Sequence, residues 1–126
     1  MEEEKLKEIQ DRYIDLTGAL PSSIELRIAL CKATNRINTV LAIEDLRQVV
    51  INENPLGHKI SQLVQFGQLV ALGERDSAKI HARAAIKAGA STTELLGVVE
   101  LALITSGMPA YSLGVEIISE ETQPRQ

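Results

Sequence analysis

Between Glu2 and Thr17 apolar or aromatic residues fall at Leu6, Ile9, Tyr13 and Leu16, three or four residues apart. That spacing predicts one buried stripe of an amphipathic helix, with Gly18 as its stop. Pro21 breaks the chain, and Ser22 or Ser23 is expected to cap the next free amides. Ile24 to Thr34 then reads as a short second helix, with Leu26, Ile28, Ala29 and Leu30 among its apolar positions. The turn-prone run Asn35 to Asn38 leads to a third helix through Val40, Leu41, Ile43, Leu46, Val49 and Val50, ending near Ile51. Its polar face carries Glu44, Asp45, Arg47 and Gln48. Asn52 to Gly57 combines Asn, Pro and Gly, each of which disfavours a helix, and is read as a loop inside one domain.

His58 to Leu72 predicts a fourth helix, apolar at Ile60, Leu63, Val64, Phe66, Leu69 and Val70 and stopped by Gly73. Asp76 or Ser77 is expected to cap a fifth, which runs to Ala88 and stops at Gly89. Ser91 and Glu94 form an S-x-x-E capping box, the strongest local signal in the chain, and open a sixth helix. From Leu95 to Ile104 that helix is apolar nearly all round, broken only by Gly97 and Glu100, so it needs cover on more than one side. Glu100 in such a setting is expected to have a partner or a raised pKa. Gly107 ends the sixth helix, Pro109 starts a last one through Tyr111, Leu113, Val115, Ile117 and Ile118, and Glu120 to Gln126 is expected to fray. No strand-like alternation competes with this reading, so the fold class is all-α.

A length of 126 residues suits one helical domain over 1–126. Apolar residues make up 44% and aromatic residues only 2%, which calls for closely spaced helices packed through Ala, Leu, Ile and Val. Small bundles of this kind bury little surface, and with the apolar sixth helix this predicts self-association into a homo-oligomer. A net charge of -4, scattered basic residues and three aromatics argue against a nucleic-acid surface. One cysteine, Cys31, excludes an internal disulfide, and the acidic start has no apolar signal core; a cytoplasmic protein with no membrane span is expected. The spacing of His58, His81 and the carboxylates suggests no metal site, and no cofactor is expected.

Three blocks in order carry a family resemblance: HARAAIKAGA at His81–Ala90, TELL at Thr93–Leu96 and GMPA at Gly107–Ala110. Together they resemble the carboxymuconolactone decarboxylase and alkylhydroperoxidase family, whose blocks read H-x-R-x-A-L-x-A-G, then E-E-I, then G-F-P-A. The resemblance covers about residues 58–118. It implies an alkylhydroperoxidase-like helical bundle, assembled as trimers or hexamers.

Two departures bear on activity. In the peroxidase branch a C-x-x-C pair precedes the histidine by seven and four positions; here Glu74 and Ser77 stand there. A thiol peroxidase relying on Cys31 alone, with no resolving thiol, is therefore disfavoured. In the decarboxylase branch an R-E-L block supplies a glutamate, and this chain has Ser61, Gln62 and Leu63 in its place. A glutamine does not exchange protons as a carboxylate does.

The resemblance implies a decarboxylase or lyase acting on a small carboxylate or lactone, with His81 as proton carrier. Glu74 is the candidate to replace the absent glutamate, and Gln62 and Arg83 are the candidates to bind substrate. Each has a plainer reading. His81, on the face of Ala84, Ala85 and Ala88, suits a core histidine bonded to a neighbour; Glu74 and Asp76 suit helix capping; Arg83 and Lys87 suit a solvated i, i+4 surface. The rival function is a helical binding or scaffold module that retains the fold without the chemistry.

Overall fold

The computed structural model describes residues 2–123. Among them every regular element is helical: α1 (Glu2–Thr17), α2 (Ser22–Ala33), α3 (Ile37–Arg47), a π turn (Gln48–Asn52), α4 (His58–Leu72), α5 (Arg75–Lys87), α6 (Thr92–Ser106) and α7 (Met108–Thr122). The chain divides into two compact units, Met1–Pro55 and Leu56–Gln126, and the boundary falls in the Asn52 to Gly57 loop. Of the expected frayed tail, α7 includes residues to Thr122; Pro124 to Gln126 lie outside the described residues.

In the N-terminal unit the stripe of α1 is buried at Leu6, Ile9 and Tyr13 against Ile24, Ile28, Ile37 and Val40. Gly18 ends α1 with φ +89°, its N–H donating to Ile14 O at 2.7 Å. Three details correct the sequence reading. Pro21 is the N-cap of α2 and its carbonyl takes the amides of Ile24 and Glu25, so Ser22 and Ser23 lie inside the helix. Leu26 and Leu30 are exposed, because α2 turns the Ile24 and Ile28 face inward. The left-handed residue between α2 and α3 is Asn35 alone, at φ +58°, and α3 already begins at Ile37.

α3 does not stop at Arg47. It loosens into the π turn, in which Glu53 N–H reaches Gln48 O at 3.1 Å. Glu44, expected on the polar face, is buried and accepts a 2.6 Å hydrogen bond from Tyr13 Oη. Arg47 lies 5.4 Å from the centre of the Tyr13 ring. The Tyr13 phenol is pushed up from the usual 10.0 to about 12, first by burial and then by its bond to Glu44.

A raised pKa in the fold means that the neutral phenol is the form the structure favours. The stabilisation is complete below pH 10.0 and drains away as the pH climbs toward about 12. An ultraviolet titration of the wild type minus that of Tyr13→Phe should show a phenolate midpoint near 12. A midpoint at 10 would show that the phenol is neither buried nor held by Glu44.

The C-terminal unit packs α4, α5, α6 and α7 around Phe66, Val70, Leu95, Val99 and Ile117, with Ala78, Ala82 and Ala85 supplying the face of α5. Small residues set the spacing. A Cβ on Gly67 would lie 2.8 Å from Val98 Cγ1, and one on Gly114 would lie 2.1 Å from Val99 Cγ1. The Ser91 and Glu94 capping box forms as expected, and Lys59 Nζ meets Glu94 Oε2 at 3.1 Å, joining the starts of α4 and α6. The Glu94 carboxyl is held below the usual range by the Ser91 backbone N–H and then by Lys59. At α5 the N-cap is Glu74, without a side-chain capping bond, rather than Asp76 or Ser77.

Arg75, Lys79 and Arg83, one turn apart along α5, pair with Glu116, Glu120 and Glu121 of α7. Partly exposed pairs of this kind contribute little singly, but the row fixes the register of the two helices. Glu100 is exposed, which removes the need for the buried partner that the sequence called for. Leu101 and Ile104 of the same helix are also exposed, at 71% and 84%.

Candidate functional site

His81 and Gln62 come from different helices. His81 lies midway along α5 between Ala78, Ala82, Ala84 and Ala85, all buried, and Gln62 lies in the first half of α4, one turn before Phe66. The alanines let α4 and α5 approach closely enough for the two polar side chains to meet. His81 Nδ1 stands 2.6 Å from Gln62 Oε1, and both residues are buried, Gln62 completely.

An amide oxygen only accepts, so Nδ1 of His81 carries a proton in this arrangement, and in the neutral form of the ring the lone pair is on Nε2. Gln62 thus fixes both ring orientation and tautomer. Its own Nε2 finds no partner among the described residues, nor does Ser61 Oγ beside it, and both atoms are buried. Leaving such a donor unmade costs about 1–3 kcal/mol, a cost that a polar ligand or water would offset.

The other two candidate residues stand apart from this pair. Glu74 is exposed at the entry of α5, two turns before His81, or about 10 Å along the axis at helical rise. Arg83 is half-exposed and grips Glu121 with two bonds, Nε to Oε1 and, at 3.2 Å, Nη2 to Oε2. That grip raises the guanidinium pKa further. Ser77 is exposed, and Cys31 lies partly buried in α2 of the other unit. Of the His81 face read from the sequence, Ala84 and Ala85 are buried while Ala88 is exposed at the end of α5.

Among the described residues no group of three or more His, Cys, Asp or Glu is placed to hold a metal ion, and no helix is long and apolar enough to cross a membrane. An open apolar groove of about 350 Å³ lies between α4 and α6, lined by Ile60, Leu63, Val64, Val98 and Leu101 among others. Neither His81 nor Gln62 lines it. Sequence reasoning missed the polar cluster at Glu44; its one signal was Tyr13 in a core stripe, since a buried phenol needs an acceptor.

These helices, with the histidine on one and its amide partner on the next, define an all-α protein with a single buried imidazole site. The model of the carboxymuconolactone decarboxylase family matches residues 39–120, well over half of the chain, and the chain belongs to that family. Comparison with curated proteins and with solved structures returned no match.

Proposed function

We propose that this protein is a cytoplasmic homo-oligomer that works as a decarboxylase-like lyase on a small carboxylate or lactone, with His81 as the proton carrier. The observation that carries the reading is the buried His81 and Gln62 contact with an unpartnered amide N–H₂ beside it. His81 Nε2 takes the proton of the substrate carboxyl group, loss of carbon dioxide leaves an enolate, and the imidazolium returns that proton to its carbon; the amide of Gln62 donates to a ligand oxygen while its carbonyl holds the ring. Arg83 binds an anionic substrate only by releasing Glu121, and Glu74 acts, in this reading, from the entry of α5. The exposed apolar side chains of α4 and α6 support self-association.

Carbon dioxide release from candidate lactones and small β-keto or vinylogous carboxylates tests the reading. His81→Ala is expected to lower turnover by about a hundredfold or more, the usual worth of a general acid. Unchanged turnover in a folded His81→Ala protein would remove His81 from the chemistry. The second reading, a binding module without catalysis, is favoured by the neutral Gln62 and predicts ligand binding that depends on Gln62 with no carbon dioxide released.

A further inference from the structure

The N-terminal unit holds a second polar cluster that the decarboxylase-like reading does not use. Glu44 on α3 is satisfied three times: Tyr13 Oη donates to it, Arg27 Nη1 lies 3.7 Å from Oε1 and Arg47 Nε lies 3.5 Å from Oε2. Arg12 enters the same small cleft from α1, yet the acceptor it meets is neutral. Its Nη1 donates to Gln48 Oε1 at 3.0 Å, an oxygen already taken by Asn52 Nδ2 at 2.7 Å.

The cleft is lined by two guanidiniums, Arg12 and Arg47, against one carboxylate, and Arg27 offsets that carboxylate from outside the lining. A surplus of positive charge therefore faces a half-enclosed space. Gln48 and Asn52 are the two ends of the π turn, an uncommon element that recurs at functional sites. The wider turn sets their amides one above the other beside Arg12. The cavity, about 20 Å³ as open to a water-sized sphere, takes one oxygen-sized atom, so an anion would put one oxygen inside and keep the rest of the group in the open mouth. The bond to Gln48 engages only Nη1 of Arg12, so the Nε and Nη2 edge keeps the fork geometry that suits two oxygens of one anion.

We propose that this cleft binds a small oxyanion, a carboxylate or phosphate group, with Arg12 as its main partner, Arg47 as the second and the Asn52 amide as a neutral donor. Glu44 positions Arg47 and does not touch the anion. The site is independent of His81, so failure of one reading leaves the other standing.

Titration of the full-length, isotope-labelled protein with inorganic phosphate, and separately with acetate, at ionic strength held constant with chloride tests this. Saturable shifts at the side-chain signals of Arg12, Arg47 and Asn52 are expected, with a Kd on the order of 1–10 mM. Arg12→Gln should weaken binding about tenfold and Arg12→Lys by less, as the charge without the fork predicts. Arg75→Gln, which touches only the α5 and α7 ion pairs, should leave it unchanged. Tighter phosphate than acetate would identify a phosphate ligand, and the reverse a carboxylate. Shifts that stay linear to about 50 mM in the wild type, or equal affinity in folded Arg12→Gln, would overturn the proposal.

Discussion

Gly114→Ala is expected to destabilise the C-terminal helices by about 3 kcal/mol, although alanine favours a helix interior over glycine by about 1 kcal/mol. The added methyl would lie 2.1 Å from Val99 Cγ1, 2.7 Å from Val99 Cβ and 3.4 Å from Val70 Cγ1. Val99 is fully buried, and a β-branched residue in a helix has essentially one rotamer, so it cannot swing aside; α6 and α7 must separate. Gly97, on α6, is the internal control. Nothing lies within 4 Å of a Cβ there, and Gly97→Ala should raise stability by about 0.5–1 kcal/mol. Urea unfolding of the two variants therefore gives opposite signs, and Val99→Ala should recover part of the Gly114→Ala loss. A Gly114→Ala protein as stable as wild type would mean that the two helices do not approach through that glycine.

Phe66→Ala should cost about 3–5 kcal/mol, the range for truncating a fully buried aromatic ring. Phe66 is the one phenylalanine in the chain, and it is the largest of the completely buried side chains. The buried residues of the core around it are alanine and aliphatic, and Tyr111 packs only at the partly buried edge. The effect also reaches the site. Phe66 follows Gln62 by one turn on the same face of α4, so a cavity there frees the glutamine that orients His81. Thermal unfolding of Phe66→Ala and Phe66→Leu measures the loss, with Leu expected to recover more than half of it. A loss below about 1 kcal/mol for Ala would show that the ring is not central to the core.

Much of this architecture was legible because local chemistry and tertiary packing agree. The stripe at Leu6, Ile9 and Tyr13, the limits of α1 and α4, the glycine stops and the Ser91 capping box all needed only neighbours in sequence. The misreadings share a cause: the burying surface lies elsewhere in the chain. Glu44 falls on a polar stretch and is buried because Tyr13, 31 residues away, comes to meet it. Leu26 and Leu30 look like core and face outward, and Gln48–Asn52 has no motif that marks a π turn. For the site, the family blocks pointed to His81 and Gln62, and the fold brings those two side chains into contact. Sequence position points to Glu74 and Arg83 but reveals neither the exposure of the one nor the Glu121 grip on the other.

The contact between Gln62 Oε1 and His81 Nδ1 underlies the site, and the nitrogen spectrum of the imidazole rings reads it directly. At a pH where the ring is neutral, with exposed His58 as the reference histidine, His81 should show a protonated Nδ1 and an unprotonated, pyridine-type Nε2. The opposite tautomer, or a tautomer mixture indistinguishable from that of His58 and unaltered in Gln62→Leu, would contradict it.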